Sequence, residues 1–517
     1  MTARVIMVQG TASSVGKSLV VTGLCRLFAR AGLRVAPFKA QNMALNAAVA
    51  SDGGEIGRAQ MVQAEAAGLP ATVDMNPILL KPEGDSRSQV VVLGKPWASL
   101  RAAEYHARKP ELRRIVRESL ERLRSRVDVV VIEGAGSPAE VNLKDRDIVN
   151  MDVARAADAP VLLVGDIDRG GVFAAFVGTI ELLEPDERAR IAAFVVNKFR
   201  GDRALLEPGL DFLRDRTGIP VLGVLPYLRG LRIADEDSVS LDERPRTRRA
   251  GPGELDVAVV RLPRISNFDD LEPLEHEPGV VVRYAERAAE LRGADLVIVP
   301  GSKSTIPDLA WLQAAGFAEE IAARAGRGEP VLGICGGCQM LGGAVEDPLG
   351  IESEVLRADG LGLLPLSTRF SREKVTTQAR ARAVEASFLQ PRDAAPIAGY
   401  EIHMGVTGRA DGGRPAFEVT SRNERACAVP DGAVGAGGAV VGTMLHGILE
   451  NDGVRAALLD HLRTRRGLPA APARAGPGRQ ASYDRLARAV GEAIDWDLLA
   501  RIVGLDLPRP KFGESAP

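Results

Sequence analysis

Residues Val331-Leu332-Gly333-Ile334-Cys335-Gly336-Gly337-Cys338-Gln339-Met340-Leu341-Gly342-Gly343 decide the fold class. Val331, Leu332 and Ile334 read as a buried strand, Cys335 closes it, and Gly336-Gly337 permit a sharp, close-packed turn into an apolar helix start. Strand, thiol and helix in that order form a nucleophile elbow. The thiol is exposed at a sheet edge and faces helix N-terminal amides, which lower its pKa and favour thiolate.

Two other readings of this stretch are open. Cys335 and Cys338 form a C-x-x-C pair, suited to a redox dithiol or half a zinc site, but zinc needs a second ligand pair and Cys25 and Cys427 are isolated. A nucleophile needs a base, and His446 ends the apolar run Val440 to Leu445, far away in sequence as such partners commonly are. His403, in Gly399-Tyr400-Glu401-Ile402-His403-Met404-Gly405, is a weaker candidate. The run Leu296 to Val299 ends in Pro300-Gly301-Ser302-Lys303, whose backbone amides, with Gly301 as the key position, join that of Gly336 as a candidate oxyanion hole. The alternative is a plain strand-to-helix loop.

The N-terminal part carries a second site. Val5 to Val8 lead into Gly10-Thr11-Ala12-Ser13-Ser14-Val15-Gly16-Lys17-Ser18 and an amphipathic helix. Strand, glycine-rich loop and helix are the context of a phosphate-binding loop, in which the amides of Gly10, Thr11, Ser14, Val15 and Gly16 cradle phosphates, Lys17 reaches the β- and γ-phosphates and the Ser18 hydroxyl holds Mg²⁺. Five residues separate Gly10 from Gly16 where the common pattern has four, and the second lysine of partition-type ATPases is missing between Val8 and Gly16. Asp128 to Ile132 form an apolar strand ending in Glu133-Gly134, a Walker-B-like carboxylate for Mg²⁺. Asp52 is a further metal candidate, or only a charge near a helix start. The amide-rich loop Lys39 to Asn46, with Gln41, Asn42 and Asn46, stands at a strand's carboxyl end, where open α/β sheets bind ligands. Asn197-Lys198 ends another apolar strand and is either a base-recognition loop or an ordinary polar turn.

Strands alternating with helical segments in both halves predict two doubly wound α/β domains with parallel sheets. The charged, Pro/Gly-punctuated stretch Leu241 to Gly253 divides them, so domains are expected at 1–240 and 254–452, followed by a helical extension at 453–517. That extension holds a linker, Gly467 to Gln480, and a tail, Pro508 to Pro517, expected to be disordered. With 66 Lys and Arg against 68 Asp and Glu over 517 residues, no global field argues for nucleic acid or an anionic membrane. No apolar stretch approaches the roughly 20 residues that span a bilayer. Four cysteines make no disulfide framework and no signal-peptide pattern opens the chain, so a soluble cytoplasmic protein is expected. The sequence carries no signal for oligomeric state.

The two sites complement each other chemically. A thiolate with a base and oxyanion donors attacks a carbonyl and releases ammonia, while a nucleotide site phosphorylates a carboxylate so that ammonia can displace phosphate. The sum is an amide. Gly-Ile-Cys-Gly-Gly-Cys-Gln-Met-Leu-Gly with His446 resembles class I, flavodoxin-like glutamine amidotransferases, and Gly10 to Ser18 with Glu133-Gly134-Ala135-Gly136 resembles the dethiobiotin synthetase-like P-loop fold. Their fusion, with Phe38 to Asn46, Asn76 to Pro82 and Gly399 to His403, looks like the cobyric acid synthase family from the first strand to about Asn451. That resemblance implies ATP and Mg²⁺ as cofactors, L-glutamine as nitrogen donor, and a corrinoid substrate, adenosylcobyrinic acid a,c-diamide, amidated at its b, d, e and g carboxylates in cobalamin biosynthesis. It also implies Ser18, Asp52 and Glu133 as Mg²⁺ ligands. Many class I glutaminases place a Glu two residues after the base; here that position is Ile448, which leaves a dyad or a substitute such as Glu450. Two rival readings are the family that amidates the a and c carboxylates of cobyrinic acid, and a regulatory P-loop ATPase with an inactive glutaminase domain.

Overall fold

A computed structural model describes residues 2–83, 87–233, 248–391, 395–410, 412–470 and 478–510. The expected linker at 241–253 therefore lies, up to residue 247, outside the described residues, as do 471–477 of the second linker and 511–517 of the tail.

The N-terminal sheet has six parallel strands in the order Val221–Pro226, Ile191–Phe199, Val161–Asp166, Arg4–Gly10, Val129–Glu133, Val35–Phe38. Helices cover both faces, which is why these strands read as unbroken apolar runs. The second sheet runs Val280–Ala285, Leu255–Val260, Leu296–Val299, Val331–Ile334, Val440–Thr443, all parallel, and ends on the antiparallel edge strand Ala433–Gly435.

These orders place the sites. Leu296–Val299, Val331–Ile334 and Val440–Thr443 are adjacent and parallel, so Gly301, Cys335 and His446 arrive at one edge although sequence separates them. Likewise Arg4–Gly10 lies between Val161–Asp166 and Val129–Glu133, which brings the phosphate loop beside Glu133. An antiparallel layer, built on the long strands Leu366–Ala383 and Ile397–Arg409, covers the second site.

The C-terminal extension divides between the two cores. Helix Asp452–Arg466 contributes Val454, Leu458 and Leu462 to the second domain's core. Helices Arg479–Ala493 and Trp496–Val503 return to the first domain, where Leu486, Val490, Trp496 and Leu499 pack with Leu24 and Phe28 of the helix after the phosphate loop. Asp484 fastens this packing through Arg26 at 2.8 Å and Arg30 at 2.6 Å.

Candidate active site

The phosphate loop leaves its strand at Gly10 and enters the helix at Lys17. Gly16 has φ 98°, and a Cβ there would meet Asn197 Nδ2 at 2.1 Å, so only glycine fits. Asn197 Nδ2 donates to the Val15 carbonyl at 2.8 Å, and Lys198 Nζ donates to Ser14 O at 2.8 Å. Asn197-Lys198 is thus a brace on the loop from a neighbouring strand. Thr11 N donates to Val164 O at 2.9 Å, and Lys17 Nζ donates to the carbonyls of Ala12 and Gly136 at the mouth of the loop.

Glu133 is fully buried at the end of its strand. Ser18 Oγ donates to it at 2.9 Å, Lys39 pairs with it at 2.9 Å, and Gln63 Nε2 donates to its other oxygen at 2.5 Å. Burial of a carboxylate costs several kcal/mol unless it is paired and hydrogen-bonded, and this one is both. Lys39 and Gln63 hold this carboxylate, and sequence reading did not single them out. Lys39 was visible as a cation at a strand's carboxyl end, whereas Gln63 lies within a helix with no local cue.

Asp52 stands elsewhere. It is exposed, its Oδ2 accepts from Val73 N at 3.0 Å, and among the described residues no hydrogen bond or ion pair joins it to Ser18 or Glu133. Asn42 and Asn46 are buried, with Asn42 Nδ2 donating to Gln60 at 3.3 Å, while Gln41 is half-buried and accepts from the Tyr105 hydroxyl.

At the second site Cys335 has φ 50° and ψ −110°, a strained backbone that costs roughly 1–3 kcal/mol and is sustained by its surroundings. A Cβ on Gly337 would lie 1.9 Å from Val299 O, so the helix start packs on the neighbouring strand only as glycine. Gly336 lies against Ser302 in the same way, which brings the Gly301-Ser302 turn beside the thiol. Cys335 is not the exposed thiol expected at a sheet edge: it is 7 % exposed, because the strand Ile397–Arg409 lies over it and its thiol points to the Ile402 carbonyl at 3.6 Å. Cys338 is fully buried, and burial pushes its thiol well above the ordinary range. Its sulfur fills the space beside Gly442, so it serves the core, and no group of three or more His, Cys, Asp and Glu side chains able to hold a metal occurs among the described residues.

His446 is 1 % exposed and its ring stacks on Tyr400, with centroids 5.2 Å apart and planes at 17°. Nδ1 donates to Asp270 Oδ2 at 2.7 Å, and Gly447 N donates to Asp270 Oδ1 at 2.7 Å. Burial acts to lower the imidazole pKa, but the charges of Asp270 and Cys335, and hydrogen bonds to both, hold it well above its ordinary value. Asp270 is the orienting acid. Glu450, the substitute considered from sequence, pairs instead with Arg479. Asp270 lies 176 positions before His446, and its only cue was the acidic doublet Asp269-Asp270 between the apolar residues Phe268 and Leu271.

A CobB/CobQ-like glutamine amidotransferase domain model matches residues 256–454, and a CobQ/CobB/MinD/ParA nucleotide binding domain model matches residues 6–241. The cobyric acid synthase of Sorangium cellulosum (strain So ce56) is 67% identical over 98% of this chain and 100% of its own length. The chain belongs to the cobyric acid synthase family. It is a glutamine-dependent carbon–nitrogen ligase of cobalamin biosynthesis, with a nucleotide-binding domain and a glutaminase domain. Two further cobyric acid synthases, from Dehalococcoides mccartyi (strain CBDB1) and Moorella thermoacetica, are 52% and 51% identical over 97% and 98% of this chain and 99% and 98% of theirs. No helix among the described residues is long and apolar enough to cross a membrane.

In this cobyric acid synthase family member the two domains close over the thiol together. Lys81 and Gln89 of the first domain line the same small cavity as Cys335, His446 and His403. Glu55 is fully buried between Lys81 at 2.6 Å and Lys374 of the second domain. Arg58 pairs with Asp269 at 3.0 Å, next to the orienting Asp270, and Asn267 accepts from Ala47 N at 3.0 Å. Ala47 and Arg58 of the first domain thereby hold Asn267 and Asp269, in the segment that carries Asp270.

Proposed function

We propose that this chain amidates the b, d, e and g carboxylates of adenosylcobyrinic acid a,c-diamide in the cytoplasm, using glutamine nitrogen and one ATP per amide. The observation that carries this reading is the joining, in one chain, of a Cys335–His446–Asp270 array and a P-loop with a buried carboxylate. Near-full-length likeness to relatives named cobyric acid synthase supports the choice of substrate over the a- and c-amidating family.

In the glutaminase, Cys335 Sγ attacks the side-chain amide carbon of glutamine. The amides of Gly336 and of the Gly301 turn face the oxyanion, His446 protonates the departing ammonia, and water then releases glutamate from the thioester. In the synthetase, Lys17 and the loop amides hold the triphosphate in line with a substrate carboxylate. The carboxylate oxygen displaces ADP from the γ-phosphorus, and ammonia displaces phosphate from the acyl phosphate. Ser18 and Glu133, hard oxygen donors 2.9 Å apart, fit Mg²⁺, which when bound supplies charge neutralisation on the phosphates. Asp52 would join them only after the turn that carries it moves. Gln41, open on one side, is the corrinoid contact, while Asn42 and Asn46 shape its loop.

The test is mass spectrometry of the product made from the a,c-diamide with ATP, Mg²⁺ and glutamine. Four added amides are expected. Amidation of cobyrinic acid with none of the diamide would favour the a,c-amidating rival, and absence of glutamine hydrolysis would favour an inactive glutaminase.

A further inference from the structure

Near its start the strand Ile397–Arg409 runs against the segment that carries His446. Tyr400 N donates to His446 O at 3.1 Å and His446 N donates to Tyr400 O at 2.9 Å, so the two residues form an antiparallel bridge. Residues paired in this way project their side chains from the same face, which lays the phenol ring on the imidazole. Gly399 lets the two chains approach, since a Cβ there would lie 2.7 Å from His446 O. The Asn451 side chain extends the pairing, accepting from Ala398 N at 2.9 Å and donating to Ala398 O at 2.8 Å.

The imidazole is enclosed. Asp270 holds Nδ1 at 2.7 Å, a Cβ on Gly301 would lie 3.4 Å from Cε1, and Tyr400 covers one face of the ring. At 1 % exposure the ring is cut off from bulk solvent. The charged and titratable groups around it are Asp270 and Cys335 at its nitrogens, Asp269 with its partner Arg58 beside Asp270, and the Tyr400 phenol. Tyr400 is itself buried in an apolar cluster with Ala44, Ala47 and Val49 of the first domain. Burial, and then the charges of Asp269 and Asp270, push its phenol well above the ordinary range, so the ring stays neutral. A neutral aromatic ring presents a negative face, which attracts a cation within about 6 Å of its centroid. The phenol and imidazole centroids are 5.2 Å apart.

We propose that Tyr400 is a positioning residue of the glutaminase: its ring holds the His446 imidazole in the orientation set by Asp270 and stabilises the imidazolium formed when His446 takes the Cys335 proton. This rests on the reading of Cys335, His446 and Asp270 as the glutaminase array. The proton moves from Sγ to Nε2, leaving a thiolate to attack, and passes from Nε2 to the departing nitrogen. Asp270 supports the positive ring from its edge and Tyr400 supports it from its face. Gly399 and Tyr400 act together, the first permitting the close approach that the second needs.

In the full chain, glutamate release is measured against pH for the wild type, for Tyr400→Phe, and for protein with 3,4,5-trifluorophenylalanine introduced at position 400 by nonsense suppression. Fluorine weakens the negative face and leaves the shape of the ring nearly unchanged. Tyr400→Phe is expected to keep the wild-type profile. The fluorinated ring is expected to move the alkaline limb about half a pH unit lower and to reduce kcat, with the KM for glutamine unchanged. Tyr400→Leu, which removes the ring, should move the limb by about one pH unit and lower kcat about tenfold. A fluorinated protein with the profile of Tyr400→Phe would overturn the inference, whether or not Tyr400→Leu folds. So would a folded Tyr400→Leu with wild-type kcat, or a change confined to KM. Glutamate release missing from the wild type would instead overturn the array on which the inference rests.

Discussion

His446 Nδ1 and Asp270 Oδ2 lie 2.7 Å apart, completing a Cys–His–Asp array in which the acid precedes the nucleophile and base in the chain. The carboxylate fixes the imidazole tautomer, leaving Nε2 for the thiol, and supports the protonated ring. Asp270→Asn preserves the shape and removes the charge. Glutamate release is expected to fall roughly 100-fold or more. Because Asp270 helps hold the imidazole pKa up, its loss should move the alkaline limb of the glutaminase pH profile to lower pH. An unshifted profile would assign Asp270 a packing role alone.

Cys335→Ala is expected to abolish glutamine-dependent amidation and leave amidation from added ammonium salt. The synthetase makes its acyl phosphate with groups that do not touch the thiol. Product formation is followed with each nitrogen source in turn, and loss of both activities in a folded variant would contradict two separable sites.

Lys17→Ala should remove both. Losing charge contacts to the transferring phosphoryl group typically costs about 3–4 kcal/mol, or roughly 10²–10³-fold in kcat. Phosphate release with ammonium salt as nitrogen source measures this, free of any effect on the glutaminase.

Glu55 tests the domain interface. Burial raises its pKa, but Lys374 and then Lys81 outweigh that and lower it to about 2 from an ordinary 4.5. The unfolded chain binds the proton more readily, so the stabilisation is complete above pH 4.5 and is lost as pH falls toward 2. Burial lowers Lys374 to about 8, against an opposing pull from Glu55, so its own contribution rises with pH between about 8 and 10.5. Glu55→Gln leaves two buried ammonium groups without their carboxylate and is expected to cost about 3–5 kcal/mol in denaturant unfolding at neutral pH. A cost under 1 kcal/mol would show that the cluster is hydrated.

The elbow and the phosphate loop were legible because each is local. Cys335 with Gly336-Gly337 and Gly10 with Gly16-Lys17-Ser18 carry strand, turn and helix signals within about a dozen residues, and the structure gives both the backbone those signals require. Asp52 was a metal candidate from its place near a helix start and from resemblance, and the structure holds its carboxylate on the Val73 amide. Glu450 was considered because it follows His446 closely, yet proximity in sequence places it on the far side of a tight turn, where Arg479 takes it.

By itself the sequence determined two α/β sheets, a thiol at the end of one and a phosphate loop at the end of the other, since apolar periodicity and glycine turns act over a few residues. Only the tertiary structure decided that Asp270 orients His446, that Glu55 bridges Lys81 and Lys374, and that the C-terminal helix returns to the helix behind the phosphate loop. Those pairings join segments hundreds of positions apart. What selects them is the burial of charge and apolar surface between packed elements, an energy that belongs to the folded arrangement and leaves no spacing pattern along the chain.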